Sequence, residues 1–198
     1  MKGYIYSMFK GADPAQGWVM TDPIFGPVPT LGACMPNVRR VVERGDYIFV
    51  VSGQAVGVKQ YIVGGFEVDK KINALAAYKQ FPRNRQREMA DGSLRGNIIV
   101  QADGSRSEVD YHAGSLEKRI ENYVIGKKPL VIETPQEVTI ARDETLEILK
   151  DIFKRRGQKV TDIIARWRRL DSTQINELRE WLLSVKKNAR MLPNENYS

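Results

Sequence analysis

Short apolar segments of strand length alternate with glycine- and proline-rich segments over the first third of the chain. Residues 3–9 ("GYIYSMF") alternate aromatic and small side chains, which predicts a first β-strand. Residues 46–53 and 55–68 predict two further strands, the first apolar on both faces and therefore central in its sheet. Residues 10–30 predict a long loop, a kind of segment that often carries function. Residues 36–42 predict a short helix that opens with proline.

The middle of the chain mixes helical, extended and loop patterns. Residues 70–81 predict a helix, and residues 81–97 a basic loop. Residues 97–111 predict a hairpin around an Asp-Gly turn. Residues 116–126 fit a helix or a strand equally well, and residues 129–133 predict a short strand.

Helical periodicity dominates the end of the chain. Residues 143–157 place acidic side chains early and basic side chains late, as the helix dipole favours. Residues 160–170 and 172–192 predict two more helices, the second with Ser172 as its N-cap. The fold class predicted is α/β (α+β), with a mixed or barrel-like β core and flanking helices. We divide it into an α/β domain (1–138) and a helical C-terminal extension (139–198).

Composition narrows the class of protein. Hydrophobic residues make up 42% and charged residues 28%, as in ordinary globular proteins. The net charge of +7 favours a polyanionic partner, although a solvated basic surface explains it equally well. The apolar segments are too short to span a bilayer, and the start of the chain lacks the apolar segment of a signal peptide. The single cysteine excludes an internal disulfide, so we expect a cytoplasmic protein without a membrane partner.

Cys34 is the candidate nucleophile. It stands just before the helix predicted to open at Pro36, where free N–H groups and the helix dipole stabilise a thiolate. Arg39 and Arg40 follow closely. Such surroundings lower a thiol pKa from about 8.5 toward neutrality or below. The alternative is that Cys34 is a small buried hydrophobic residue.

His112 is the only histidine and therefore the only imidazole that can move a proton for Cys34. Asp110 lies two residues earlier, on the same face if this segment is a strand. Asp46 is a further candidate carboxylate, which could also serve only to cap the turn before its strand. One histidine and one cysteine exclude multi-histidine and multi-cysteine metal centres, and no P-loop or Rossmann motif is present. We therefore expect no metal and no cofactor.

Basic and aromatic side chains are candidates for contact with nucleic acid. The phosphate-contact candidates are Arg39, Arg40, Arg83, Arg85, Arg87 and Arg95. The base-stacking candidates are Tyr4, Tyr6, Trp18, Phe25 and Tyr47. Each arginine is equally explained as solvated surface, and each aromatic ring as core or loop anchoring.

Several of these segments, taken in order, carry a family resemblance. They are "PIFG" (23–26), "TLGACMPNVRR" (30–40), "GDYIFVVSG" (45–53), "ADGSLRGNIIVQADG" (90–104), "SEVDYHAG" (107–114) and "EKRIENYVIGKKP" (117–129). Together they resemble the second type of nucleotide-modification-associated domain over about two thirds of the chain. Asp22 stands where that family has asparagine, and Met35 where it has lysine. Residues 139–198 lie outside the resemblance.

The resemblance implies a bacterial or phage DNA base-modification context. In that context, a cysteine thiolate is suited to add to the nitrile of a 7-cyano-7-deazaguanine base in DNA, which gives a thioimidate. Water then converts the thioimidate to the carboxamide, and neither a metal nor a redox cofactor is needed. This enzymatic hypothesis has two alternatives. One is a barrel-like reader that binds modified bases in nucleic acid without chemistry. The other is a structural subunit that recruits other proteins of a DNA-modification system through its helical end.

Overall fold

A six-stranded mixed sheet organises the computed structural model, which describes residues 1–191. Its strands run in the order β2–β7–β4–β3–β1–β8, and two short strands, β5 and β6, form a separate hairpin. In chain order the strands of the described residues are β1 (Gly3–Ser7), β2 (Thr30–Leu31), β3 (Tyr47–Val51), β4 (Ile62–Ile72), β5 (Arg87–Glu88), β6 (Leu94–Arg95), β7 (Tyr123–Val131) and β8 (Trp167–Leu170). The predicted mixed α/β class is confirmed, with an open sheet and not a barrel.

Six α-helices accompany the strands within the described residues. They are α1 (Pro36–Val41), α2 (Ala74–Gln80), α3 (Leu116–Ile120), α4 (Pro135–Phe153), α5 (Val160–Ile164) and α6 (Ser172–Met191). None of these helices combines the length and the apolar character needed to cross a bilayer. The helices predicted over 70–81 and 143–157 are present as α2 and α4, with shifted ends.

The elements with the clearest patterns are confirmed. Every residue of β1 and of β3 is buried. β3 lies between β4 and β1 in the sheet, which confirms the central position predicted from its apolar character on both faces. β1 and β3 pair in parallel, Tyr4 opposite Ile48. Helix α1 begins at Pro36, as predicted. The ambiguous segment 116–126 contains both structures, because it begins with α3 and continues into β7.

Other elements differ from the predictions in the middle of the chain. β4 begins at Ile62 and runs to Ile72, so the predicted strand over 55–68 was displaced toward the N-terminus. Asn73 then caps α2, because its side chain accepts a hydrogen bond from the Ala76 N–H at 2.7 Å. The predicted hairpin over 97–111 is reduced to one isolated antiparallel bridge around the Asp-Gly turn.

The helix predicted over 160–170 is wrong in its second half. Helix α5 ends at Ile164, and Ala165 takes a positive φ of 53° that breaks the helix. The next residues form β8, which pairs antiparallel with β1 and thereby satisfies backbone groups that β1 would otherwise leave open. Ser172 is not the N-cap of α6 either, because Asp171 accepts the Gln174 N–H at 2.9 Å.

The chain folds into two compact units. The first contains Met1–Trp18, Tyr47–Gly65 and the chain from Leu130 onward, and the second contains Val19–Asp46 and Phe66–Pro129. The boundary after residue 138 stays a prediction, and residues 192–198 of the predicted extension lie outside the described residues. All four candidate catalytic residues lie in the second unit, which therefore determines the site.

The core of the second unit lies between α2 and β7. Its buried side chains come from these two elements and from the segment that precedes the Asp-Gly turn: Ala74, Ala77, Ile98, Val100, Tyr123 and Ile125. This core fixes residues 97–100 against β7. The segment of chain that continues from it, residues 101–115, carries Asp110 and His112.

Candidate active site

The loop that carries Cys34 is held by one buried carboxylate. Asp22 accepts hydrogen bonds from the backbone N–H groups of Gly32 and Ala33, both at 2.8 Å, and from that of Cys34. Three consecutive N–H groups pointing at one anion form a backbone nest. A Cβ at Gly32 would lie 2.3 Å from the Asn97 carbonyl oxygen, so only glycine fits there. Cys34 therefore occupies a fixed position.

A buried polar network holds the Asp22 side chain in place. Asn97 donates its side-chain N–H to Asp22 at 2.8 Å and accepts the Tyr123 hydroxyl at 2.8 Å. Asn97 and Tyr123 are both buried, and Asn97 also donates to Thr30. Because each buried polar group in this chain of contacts has a partner, the network locks the loop without the cost of unpaired groups.

Arg39 is a structural residue and not a phosphate contact, contrary to the sequence-based expectation. It is fully buried, and its guanidinium donates to four backbone carbonyls: Cys34 at 2.8 Å, Ala33 at 3.1 Å, Arg119 at 2.8 Å and Asn122 at 2.6 Å. These bonds join the Cys34 loop to the end of α3. They also keep the guanidinium from the solvent, where a phosphate would bind.

Asp110 and His112 form the second half of the site. The carboxylate of Asp110 accepts from His112 Nδ1 at 2.6 Å and makes an ion pair with Arg106 at 2.6 Å. Arg106 also donates to the His112 carbonyl at 2.6 Å. The Asp110 side chain is completely buried, and that of His112 nearly so. Both the tautomer and the orientation of the imidazole are therefore set by Asp110.

The structure brings Cys34 and His112 together across 78 residues of sequence. Cys34 Sγ lies 3.7 Å from His112 Nε2, and the cysteine is half-buried. Because the Asp110 carboxylate binds Nδ1, Nε2 is the ring nitrogen left to exchange a proton with the sulfur. Cys34, His112 and Asp110 thus stand in the order nucleophile, base and orienting carboxylate, an arrangement that recurs on unrelated folds.

The surroundings of Cys34 raise its thiol pKa, whereas the sequence led us to expect a lowered one. Burial, reinforced by the negative charge of Asp22, raises the pKa of the Cys34 thiol to about 12. Arg39 and Arg119 act in the opposite direction but do not prevail. The N–H groups of residues 32–34 point at the Asp22 carboxylate, so they are not available to stabilise a thiolate at Cys34. The resting residue is a neutral thiol, which needs His112 to take its proton during attack.

Tyr111 is a site residue that sequence reasoning missed. Its ring stacks on the imidazole of His112 with centroids 4.5 Å apart and planes 19° apart, yet 58% of the residue is exposed. Burial, followed by the charges of Cys34, Asp22 and Asp110, raises the pKa of its hydroxyl. An aromatic residue directly before the only histidine was the available signal. Tyr111 therefore contacts the imidazole of the pair while more than half of the residue stays exposed.

The predicted stacking residues lie elsewhere. Tyr47 is buried, with its ring 4.5 Å from that of Phe49, so it is a core residue and cannot receive a base. Trp18 packs edge-on against Phe9 in the first unit. Phe25, in the second unit, packs edge-on against Phe66. The loop-anchoring alternative describes the contacts of Trp18 and Phe25.

The remaining arginines differ in exposure. Arg40, Arg83 and Arg87 are exposed. Arg85 lies over the ring of Tyr78, 3.8 Å from its centroid. Arg95 is half-buried and donates to the Ser93 hydroxyl and the Leu94 carbonyl. The exposed arginines and the half-buried Arg85 and Arg95 remain candidates for contact with an anion.

Asp46 has the turn role that the sequence left open. It is buried and accepts the Glu43 N–H at 3.0 Å, which closes the turn leading into β3. Gly45 takes a φ of 86° in this turn, a conformation that favours glycine. Among residues 1–191, no group of three or more histidine, cysteine, aspartate or glutamate side chains is placed to hold a metal ion.

Comparisons of the chain with family models, with curated proteins and with solved structures found no match. The site is therefore interpreted from its own geometry.

Alkylation of Cys34 should be slow at neutral pH. A thiol with a pKa near 12 holds less thiolate at pH 7 than a free cysteine, so iodoacetamide should react more slowly with the native protein. The rate should still rise above pH 9, where that of a free thiol levels off. Because the chain has one cysteine, mass spectrometry reports this residue alone.

Asp22→Asn should speed this alkylation, since it removes the negative charge that raises the thiol pKa. Asp103→Asn, in the exposed Asp-Gly turn, is the matched control and should leave the rate unchanged. A native rate at pH 7 above that of a free thiol would contradict the neutral-thiol description and indicate a thiolate–imidazolium pair.

Proposed function

We propose that this protein is a cysteine-dependent enzyme of DNA base modification, in which the Cys34 sulfur adds to an electrophilic carbon carried by a 7-deazaguanine-type base. The observation that carries the proposal is the continuous contact from Cys34 through His112 and Asp110 to Arg106. A histidine at 3.7 Å whose second nitrogen is fixed by a buried carboxylate serves a nucleophile. A purely structural cysteine requires no such partner.

The reaction that best suits this pair is hydration of a nitrile. His112 Nε2 takes the thiol proton while Cys34 Sγ forms a bond to the nitrile carbon, and the nitrile nitrogen receives that proton to give a thioimidate. Water then adds to the same carbon with His112 again moving the proton. The C–S bond breaks, the thiol is regenerated, and the product is the carboxamide. One water is consumed, and no electron is transferred.

The neutral resting thiol is compatible with this sequence of steps. A nitrile carbon accepts a nucleophile while its nitrogen accepts a proton, so addition gains when the thiol proton travels with the reaction. The thiol and the imidazole together supply one nucleophile and one proton to the nitrile. The high thiol pKa also makes the Cys34 thiolate a poor leaving group, so breaking the C–S bond depends on His112 returning the proton to the sulfur.

Nucleic acid as the substrate is supported by charge and by one exposed ring. The net charge of +7 favours a polyanion, and Arg40, Arg83 and Arg87 are exposed on the second unit. Tyr111 stacks on His112 with one ring face and is largely exposed, so a base taken out of the stack could pack on its other face. The choice of a 7-cyano-7-deazaguanine base follows from the family resemblance.

A reader of modified bases is the second candidate, and one observation favours it. Asp22 occupies the N–H groups of residues 32–34, including that of Cys34, which an enzyme would otherwise offer to developing negative charge. In a reader, Tyr111 would stack on the modified base, and the Cys34–His112 contact would shape the pocket without chemistry. Partner proteins of a DNA-modification system fit either function.

Carboxamide formation should depend on the three residues in different degrees. DNA containing 7-cyano-7-deazaguanine should yield the carboxamide nucleoside with the purified protein alone, measured by mass spectrometry after digestion. Cys34→Ala should abolish the product and leave DNA affinity nearly intact. His112→Ala should slow turnover by roughly 10²–10⁴ because proton transfer is lost. Asp110→Asn should also slow turnover because an amide does not fix the same tautomer.

Two outcomes would contradict the enzymatic proposal in different ways. Product that survives Cys34→Ala would show that the nucleophile is wrong and direct attention to water activated by Asp110. No product from the wild-type protein, together with preferential binding of the modified DNA, would establish the reader instead.

Tyr111→Ala should weaken binding of DNA with the modified base by about 1–3 kcal/mol, because one stacking face is lost. Tyr111→Phe keeps the ring and should bind like the wild type. Competition between modified and unmodified DNA, followed by fluorescence anisotropy, measures the difference. Equal loss of affinity in both variants would mean that the hydroxyl, and not the ring, makes the contact.

Removing exposed arginines from the second unit should reduce the salt dependence of DNA binding. The double variant Arg40→Gln with Arg83→Gln should lower the slope of log K against log salt by up to about 2, roughly one for each lost phosphate contact. The matched control changes Arg155 and Arg166, which are exposed in the first unit, to glutamine. Equal slopes for the two double variants would show that only net charge matters.

A further inference from the structure

Arg119, in the last turn of α3, contacts both halves of the candidate active site. Its Nη1 donates to the carbonyl of Ala33, the residue before Cys34, at 3.0 Å. Its Nη2 and Nε both donate to the carbonyl of Ala113, the residue after His112, at 2.9 and 3.2 Å. One guanidinium thus joins the chain beside the nucleophile to the chain beside the base, although Cys34 and His112 are 78 residues apart in sequence.

The segment that carries His112 depends on side-chain contacts for its position, because residues 107–115 lie outside the helices and strands. Arg106 bonds one carboxylate and two carbonyls of this segment, all within eight residues of itself. Those bonds fix the shape of the segment. The bonds of Arg119 are different, because they reach from the segment to the loop that carries Cys34.

The Cys34 end of this bridge is rigid. The Ala33 carbonyl also accepts a hydrogen bond from Arg39 at 3.1 Å, and the N–H of the same peptide unit, that of Cys34, donates to Asp22. The peptide unit before the thiol is therefore held at both its oxygen and its nitrogen. Arg39 also donates to the backbone carbonyl of Arg119 at 2.8 Å, so the end of α3 is anchored independently of the Arg119 side chain.

The shape and the charge of Arg119 are two separate properties. A planar guanidinium carries five N–H groups in fixed directions and can serve two carbonyls at once, whereas the ammonium of a lysine is a point charge on a flexible stem. The positive charge of Arg119 also opposes the burial and the Asp22 charge that raise the pKa of the Cys34 thiol. Substitution can therefore remove the shape while it keeps the charge.

We propose that Arg119 is a positioning residue, which holds the His112 imidazole where it can exchange a proton with the Cys34 thiol. It acts through the carbonyls of Ala33 and Ala113 and makes no contact with the reacting atoms. This role rests on the proposed function only in that Cys34 and His112 act as nucleophile and base. An alkylating reagent can take the place of the electrophile, so no modified DNA is needed to test it.

A double-mutant cycle on the rate at which iodoacetamide alkylates Cys34, followed on the whole protein by mass spectrometry at one fixed pH, tests this role. In the wild-type background His112→Ala should slow alkylation at least about fivefold, because the thiol loses the group that takes its proton. In the Arg119→Gln background the same change should slow it less than about twofold, because the imidazole is no longer held at the sulfur. Lys118→Gln, at the exposed neighbouring position of α3, is the matched control and should leave the effect of His112→Ala unchanged.

Arg119→Lys separates position from charge and provides a second variant if Arg119→Gln unfolds. It keeps a positive charge on α3 but loses the planar fork, so the effect of His112→Ala should again fall below about twofold. An effect as large as in the wild-type background would show that charge alone is required and would overturn the proposal.

Equal effects of His112→Ala in the wild-type and Arg119→Gln backgrounds would also overturn the proposal. So would the absence of any effect in the wild-type background, because no proton transfer would then need positioning. Carboxamide formation does not enter this cycle. A protein that shows the expected coupling but forms no carboxamide would refute the proposed substrate and leave the role of Arg119 intact, whereas carboxamide formation without coupling would refute only the role of Arg119.

Discussion

The position of Cys34 depends on the Asp22 carboxylate, which gathers the N–H groups of Gly32, Ala33 and Cys34. Without an acceptor, three buried donors in sequence would each carry the cost of lost hydration. The carboxylate removes that cost at a point where the chain turns from β2 into α1. Asn97 then ties the carboxylate to the core of the second unit. The loop is therefore as rigid as the sheet beside it.

The same carboxylate determines the chemistry. Its charge helps raise the pKa of Cys34 to about 12, and it competes with Arg39 and Arg119 for control of the thiol. Burial is the larger cause of the raised thiol pKa, and the charge of Asp22 is the second. The carboxylate that fixes the loop therefore also adds to the weakness of the resting nucleophile, and attack by Cys34 depends on His112 to take the thiol proton.

Local sequence information predicted the elements whose pattern is local. β1 and β3 are buried on both faces, and α1 begins at a proline, so apolar runs and one residue type sufficed. The pairing of His112 with Asp110 was predicted from a shared strand face, whereas both residues lie in a loop, where the His112 N–H and Nδ1 both contact the Asp110 carboxylate. The residues 167–170 were mistaken for helix because pairing with β1 overrides their local preference, and no local pattern reports that a sheet edge is free.

Charged residues show the same limit of prediction from local sequence. Arg39 looked like a surface cation, yet its guanidinium is consumed by four carbonyls that converge only after folding. Arg106 was not among the predicted site residues, although its guanidinium donates to both the Asp110 carboxylate and the His112 carbonyl. An arginine inside a protein bonds whatever carbonyls and carboxylates surround it. Of the two, Arg39 fixes the thiol loop and Arg106 fixes the imidazole, so the 3.7 Å separation of sulfur and nitrogen depends on both.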